Sequence, residues 1–224
     1  MREIASHDNP MLNFSVLSCY IIGVYGAIAR LDFFFIHEGM SEKTTHLAQV
    51  TAAQPSRLAD FVVLTKPRLL VMVLVSTCIG YALAEPVQHN PLLILGMVIG
   101  TGLVGAAAHV FNQSWEVKRD ALMHRTRNRP LPEGRIALEE AFWLGMSLAV
   151  SGLLLLVWSV NLLTALLGLV TLLSYILAYT PLKSLTPANT WVGAVTGALP
   201  PVMGWTAATG ELSWSALPIF LLLY

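Results

Sequence analysis

Long apolar runs alternate with short polar connections along most of the chain. Five runs approach the length of about 20 apolar residues that a membrane-spanning helix needs. They are predicted at 69–84, 92–111, 141–158, 162–179 and 190–208. A sixth run begins at Trp214 and is still apolar at Tyr224, so we expect an incomplete span and a chain that stops inside a helix. The pattern predicts an all-α, polytopic transmembrane helical bundle.

Composition supports a membrane protein. Hydrophobic residues make up 55% of the 224 and charged residues 12%, with a mean hydropathy of +0.66. Soluble domains carry about 25% charged residues. The formal net charge of zero gives no bulk attraction to nucleic acid, so no nucleic-acid partner is expected. Cys19 and Cys78 both lie in apolar runs and form neither a disulfide framework nor a metal-ligand spacing.

The first 63 residues are predicted to be an N-terminal extension that precedes a membrane domain at 64–224. The stretch 11–29 is uncharged and long enough to span a membrane or to act as a signal anchor. In a second interpretation, the polar leader that begins at Met40 is the natural N-terminus. The first 39 residues would then have no role.

The polar segment 112–135 interrupts the apolar pattern with six of the thirteen basic and three of the thirteen acidic residues. Within it, Asn112, Glu116 and Asp120 are spaced four residues apart. Each step of four leaves an offset of only about 40° on a helix, so the three side chains share one face. Carboxylate and amide oxygens are ligands that suit Mg²⁺ held together with a phosphate. We therefore predict a metal site on this face.

Three arginines follow the acidic face, at Arg125, Arg127 and Arg129, and Pro130 ends any helix near that point. Arginine binds phosphate oxygens bidentately, so the segment as a whole predicts a metal–diphosphate site at a membrane surface. The alternative is an ordinary cytoplasmic loop whose basic residues only set the topology. Spacing alone leaves this alternative open.

The basic residues predict the orientation of the bundle. The connections at 85–91, 159–161 and 209–213 contain none. Ten basic residues lie in the connections of the opposite side, namely Arg57, Lys66, Arg68, the six within 112–135, and Lys183. Since cytoplasmic loops are enriched in Lys and Arg, the polar segment is predicted to be cytoplasmic. Lys183 then shares its side and can reach the same ligand, while Lys66 and Arg68 are interpreted as topology markers.

Two features inside the spans also carry predictions. Pro200-Pro201 is expected to break or kink the fifth span, because each proline removes a helical hydrogen bond. His109, near the end of the second span, either contacts a substrate or is a hydrogen-bonded interior residue.

Ordered motifs resemble a known family. Asn112-x-x-x-Glu116-x-x-x-Asp120, followed by Met123-x-Arg125-Thr-x-x-Arg129-Pro-Leu, resembles the first aspartate-rich motif of the UbiA-type intramembrane prenyltransferases. Three further segments are similar to the haem O synthase (protoheme IX farnesyltransferase) branch of that family: Leu64-Thr-Lys-Pro-Arg68, Tyr179-Thr-Pro-Leu-Lys183, and the stretch from Asn189 through Pro200-Pro201-x-x-Gly204-Trp205.

The resemblance implies a nine-helix fold with a cavity open to lipid, of which this chain holds five full spans and part of a sixth. It implies transfer of farnesyl from farnesyl diphosphate to a vinyl group of haem B, with addition of water, giving haem O and diphosphate. Mg²⁺ is the implied cofactor, and the implied partners are farnesyl diphosphate, haem B and the lipid bilayer. The family's second acidic motif is expected beyond Tyr224.

Roles follow for individual residues. Asn112, Glu116 and Asp120 are assigned to Mg²⁺ and catalysis, and His109 and Asn189 to the substrate. The diphosphate is assigned to four basic residues, Arg119, Arg125, Arg129 and Lys183. The implied location is a bacterial inner (plasma) membrane or, alternatively, a mitochondrial inner membrane. Two other functions stay open, a non-catalytic truncated fragment and a sister UbiA-type prenyltransferase with an aromatic acceptor.

Overall fold

The computed structural model describes residues 56–86, 90–183 and 186–224, and every regular element in these ranges is a helix. The predicted span at 11–29 lies outside them. The chain divides into two compact units, and the described residues belong to the second, Pro55–Tyr224. Its α-helices are α1 (Arg57–Thr65), α2 (Pro67–Leu83), α3 (Pro91–Asp120), α4 (Leu138–Ser159), α5 (Leu162–Leu173), α6 (Thr180–Leu182), α7 (Asn189–Thr209) and α8 (Leu217–Leu223). The all-α prediction is confirmed.

Polar caps and prolines explain where the helices begin. The Ser56 side chain accepts a hydrogen bond from Ala59 N at 3.3 Å, before α1. Asn90 caps α3 in the same way ahead of Pro91, and Asn161 caps α5 with a 2.7 Å bond from Thr164 N. Such side chains satisfy backbone N–H groups that lack partners in the first helical turn.

Within the described ranges, three helices are long and apolar enough to cross a membrane: α3, α4 and the continuous stretch Leu162–Leu182. In the last of these, a π-helical turn, Ser174–Tyr179, joins α5 to α6. Helices α1 and α2 make a fourth if the pair, bent by 43°, is counted as one span. Among the described residues the predicted five full spans therefore become three or four. The 21-residue α7 is not among them, because its glycines, threonines and prolines lower its hydropathy.

Helix α3 lies at the centre of the packing. Its glycines contact α4 closely, with Gly96 against Ser159 and Gly100 against Leu156. The core cluster around them joins α3, α4, α5 and α7 through buried side chains such as Ala107. Small residues let membrane helices approach each other closely. This contact fixes the axis of α3, whose last turns carry the predicted site.

Helices α2 and α7 meet in a second close contact, which we call the α2–α7 seam (Thr77 and Gly80 on α2, Pro201 and Gly204 on α7). A Cβ on Gly80 would lie 2.6 Å from the Pro201 carbonyl carbon, and one on Gly204 would overlap the Thr77 carbonyl. Helix α7 runs continuously through Pro200 and Pro201. Both prolines are buried, and they do not break the helix. The predicted kink stays a prediction.

Candidate active site

The last three turns of α3 carry the predicted acidic face. Asn112, Glu116 and Asp120 are 2%, 6% and 5% exposed. Asn112 Nδ2 donates to Glu116 Oε2 at 3.2 Å, which shows that the first two side chains lie on the same side of the helix. Buried carboxylates are costly unless they have charged or hydrogen-bonded partners. The partners of these two therefore define the chemistry of the site.

Each carboxylate pairs with one cation from another part of the chain. Lys183, just after α6, places Nζ 2.9 Å from Glu116 Oε1. Arg129, in the connection between α3 and α4, places Nη1 2.6 Å from Asp120 Oδ2. Three separate elements thus converge on one point, and the structure brings Lys183 to the acidic face.

Two buried threonines support this arrangement, and the sequence did not single out either of them. Thr126 Oγ1 donates to the Asp120 carbonyl at 3.0 Å, which anchors the start of the arginine-containing connection. Thr180 Oγ1 lies 3.1 Å from Asn112 Oδ1 and 2.8 Å from the Tyr175 carbonyl. Thr180 belongs to the Tyr-Thr-Pro-Leu-Lys segment, so that motif was the available signal.

A cavity of about 260 Å³ opens beside the ion pairs. Its lining contains five basic and two acidic side chains, a surplus of three positive charges. The lining residues are Lys66, Leu69, Glu116, Arg119, Asp120, Met123, Arg125, Thr126, Arg129 and Lys183. A concave surface with this surplus focuses a positive potential, so the cavity is suited to a multiply charged anion such as a diphosphate.

The structure separates the predicted site residues into two groups. Six of them line the cavity and Asn112 contacts it through Glu116. His109 lies deeper, 8% exposed, with its ring centroid 6.1 Å from that of Tyr175. Asn189 is half-buried at the start of α7 and is not in the lining. Lys66, interpreted as a topology marker, is in the lining.

The donor set decides which metal the site fits. Among the described residues no three His, Cys, Asp or Glu side chains gather into a metal site. The available ligands are the carboxylates of Glu116 and Asp120 and the amide oxygen of Asn112, all hard oxygen donors. Mg²⁺ is commonly bound by one or two carboxylates together with substrate phosphates. The residues therefore fit Mg²⁺ shared with a phosphate, rather than a cage built by protein alone.

A model of the UbiA prenyltransferase family matches residues 73–224, which include all of the acidic face and the arginines. The chain belongs to the UbiA prenyltransferase family. The family is enzymatic, and eight of the ten residues that line the charged cavity of this UbiA-family chain lie within the matched region.

Curated relatives narrow the resemblance. The chain is 46% identical over 170 residues to a protoheme IX farnesyltransferase of Myxococcus xanthus, covering 76% of this chain and 58% of the relative. It is 47% identical over 161 residues to the mitochondrial protoheme IX farnesyltransferase of Homo sapiens, covering 72% and 36%. A Solibacter usitatus protoheme IX farnesyltransferase is 40% identical over 176 residues, covering 75% and 60%. The chain thus spans at most about 60% of the length of these relatives.

A solved structure shares the fold. The UbiA homologue from Archaeoglobus fulgidus, bound to DMAPP and Mg²⁺, superposes with a TM-score of 0.59. The match covers 73% of this chain and 60% of that one, at 15% sequence identity. At this identity the likeness establishes the UbiA fold alone.

Proposed function

We propose that this UbiA-family chain transfers the farnesyl group of farnesyl diphosphate to a vinyl group of haem B, producing haem O. The observation that carries the proposal is the cavity in which two carboxylates and five cations converge. The similarity to protoheme IX farnesyltransferases supports haem B, rather than an aromatic acid, as the acceptor. The proposal is made for a chain that spans between 36% and 60% of the length of those relatives.

The acidic face is proposed to hold Mg²⁺ through Asn112, Glu116 and Asp120. When bound, the ion supplies electrostatic stabilisation of the negative charge on the leaving diphosphate. The A. fulgidus structure contains Mg²⁺ and a prenyl diphosphate in the same fold, which supports this choice of ion.

The cations of the cavity are proposed to bind the diphosphate. Lys183 and Arg129 neutralise the carboxylates in this structure, and both are close enough to contact a phosphate placed in the cavity. Arg119 and Arg125 border the same space and add two guanidinium groups. As the C1–O bond breaks, its electron pair leaves with the diphosphate. Donor groups that are already in position stabilise this charge without reorganisation.

The acceptor is proposed to lie deeper in the bundle. Neither ring nitrogen of His109 has a hydrogen-bond partner among the described residues, although the side chain is buried. Tyr175 packs against the His109 ring and stacks on Tyr179 at 5.1 Å. His109 and Asn189 remain our candidates for contacts with the substrate. The vinyl carbon attacks C1 of farnesyl, and water then adds to the resulting carbocation and loses a proton.

The long apolar helices make this a membrane protein, and the lipid bilayer is its surroundings. The relatives are bacterial and mitochondrial. We propose a bacterial inner membrane with the 112–135 segment on the cytoplasmic side, as the distribution of basic residues indicates. A mitochondrial inner membrane is the alternative.

The direct test is expression of this 224-residue chain in a bacterial host that lacks its own haem O synthase. Haem is extracted from the membranes and separated by chromatography, with an empty vector as control. Haem O in the extract supports the proposal, and haem B alone overturns it for this chain. Incubating the membranes with farnesyl diphosphate and 4-hydroxybenzoate tests the aromatic acceptor. A prenylated benzoate there, without haem O, would assign the chain to a sister activity.

A further inference from the structure

Lys66 has an unusual backbone conformation at the point where α1 meets α2. Its φ of 50° and ψ of 62° lie in the left-handed region, and only one other non-glycine residue in the described ranges, Glu85, has a positive φ. This region is unfavourable for a residue with a Cβ. Pro67, which follows directly, makes a continued right-handed helix unfavourable for Lys66 as well. The two helices therefore bend by 43° at this residue.

A buried amide holds the bend from the side of α3. Gln113 Nε2 donates to the Leu64 carbonyl at 2.7 Å, and the two residues are 2% and 0% exposed. Gln113 follows Asn112 directly, so the turn of α3 that begins the acidic face also fixes the bend. An unpaired buried carbonyl destabilises the folded state, so the bond to Leu64 is strongly favoured. This bond therefore fixes the position of Lys66 relative to α3.

The bend places Lys66 in the lining of the charged cavity. Its ammonium interacts electrostatically with Arg129 and Lys183 as well as with Glu116 and Asp120. In the described ranges, each of the two carboxylates already has another cation as its ion-pair partner. A third cation held in this position, by a strained backbone and a buried hydrogen bond, is stabilised when an anion fills the cavity.

We propose that Lys66 is a diphosphate-binding residue and that Gln113 is the positioning residue that holds it at the cavity. The inference rests on the proposed function of the cavity and extends its ligand set to the α1–α2 bend, which precedes the region that the family model matches. The competing interpretation, indicated by the sequence, is that Lys66 only marks the cytoplasmic side.

The first experiment measures the affinity of the purified chain for inorganic diphosphate with Mg²⁺ by calorimetry at fixed ionic strength. Lys66→Gln is expected to weaken binding about tenfold, since a charge-assisted hydrogen bond is lost. Lys66→Arg should stay within about threefold of the unsubstituted chain because the charge is kept. Arg68→Gln is the matched control: it removes a basic residue two positions away that is not in the lining, and it should leave the affinity unchanged.

The outcomes separate the inference from the proposed function. Equal affinities for the unsubstituted chain and Lys66→Gln would overturn the role of Lys66 and leave the proposed function intact. An equal loss in Arg68→Gln would also overturn it, because general electrostatics would then explain both variants. Absence of binding by the unsubstituted chain would overturn the proposed function, and this inference with it.

A double-mutant cycle tests the positioning role. Gln113→Leu removes the donor to Leu64 and should weaken diphosphate binding about fivefold when Lys66 is present. In the Lys66→Gln background the same change should add almost nothing, because interacting residues are not additive. Additive losses would show that Gln113 acts on structure in general. Gln113→Met has nearly the same length without the amide donor or a charge, and it serves if the leucine variant does not insert.

Discussion

The charged cavity and the α2–α7 seam both bring separate elements of the bundle together, and they are built in opposite ways. The cavity is lined mainly by long charged side chains. The seam is formed by the absence of side chains, with Gly80 and Gly204 directly against backbone atoms. Substitutions in the cavity should therefore change binding and preserve the fold, whereas substitutions in the seam should do the reverse.

The cavity and the seam differ in their electrostatic energy, which is why substitutions in them should act differently. In the cavity five cations face two carboxylates, so like charges repel one another until a ligand arrives. The seam has no such unsatisfied interaction, and its close packing contributes through many small contacts. A bound anion would relieve the repulsion among the cations of the cavity, whereas the seam has no such repulsion to relieve.

The largest effect is expected in the seam. Gly204→Ala would place a methyl group over the Thr77 carbonyl and 2.7 Å from Tyr81 N, both backbone atoms that cannot rotate away. Forced overpacking costs about 1–3 kcal/mol and sometimes more. We expect little folded protein, measured as monodisperse material after extraction in mild detergent. The control is Gly197→Ala on the same helix, where an added Cβ meets nothing within 4 Å. Similar yields for both variants would contradict this account of the seam.

Removal of an acidic side chain from the cavity should have the next largest effect, and this effect should be on ligand binding and not on folding. Asp120→Ala deletes a proposed Mg²⁺ ligand and leaves Arg129 without its partner. We expect at least a hundredfold loss of Mg²⁺-dependent diphosphate binding, with folded yield unchanged. Glu139→Gln, an exposed acid at the start of α4, is the control. Haem O production by Asp120→Ala at a tenth of the unsubstituted level or more would contradict the metal role.

A smaller effect is expected from a change of geometry at constant charge. Arg129→Lys keeps a cation near Asp120 but replaces the planar fork with a single ammonium. We expect about a tenfold loss of diphosphate affinity in the same calorimetric assay. Arg127→Lys is the matched control, because Arg127 is exposed and does not line the cavity. If the two variants had equal affinities, Arg129 would act as a point charge only.

The sequence predicted those features that depend on local spacing. The helical face of Asn112, Glu116 and Asp120 follows from steps of four residues, and the positions of the helices follow from apolar runs bounded by polar caps. It did not predict that α7 continues through Pro200 and Pro201, since this depends on packing between elements distant in sequence.

The position of Lys66 in the cavity lining was missed for a similar reason. In sequence it is one basic residue beside a membrane span, and many such residues only set the topology. Its place in the cavity depends on a left-handed backbone and on a bond from Gln113, 49 positions away from Leu64. Neither feature has a local signature in the sequence.

The smallest effect is expected at the ion pairs of α1, two of which connect this helix to other parts of the bundle. Arg135 Nε contacts both oxygens of the buried Asp60 at 3.0 and 3.1 Å. Arg135 Nη2 donates to the Asn128 carbonyl, within the connection that carries the arginines of the cavity. The other pair, Arg57–Glu140, is 69% and 40% exposed. Exposed pairs contribute little because water and salt screen them.

Asp60→Asn should therefore weaken diphosphate binding about threefold, by loosening the connection between α3 and α4, and should lower the melting temperature by a few degrees. Arg135 keeps its bond to the backbone, which limits the loss. Arg57→Gln should change neither quantity. The sharpest readout is the salt dependence: the difference between Asp60→Asn and the unsubstituted chain should persist at 0.5 M NaCl, because a buried pair is poorly screened. A difference that vanished in salt would show that Asp60 acts through the general field of the cavity and does not hold the arginines in place.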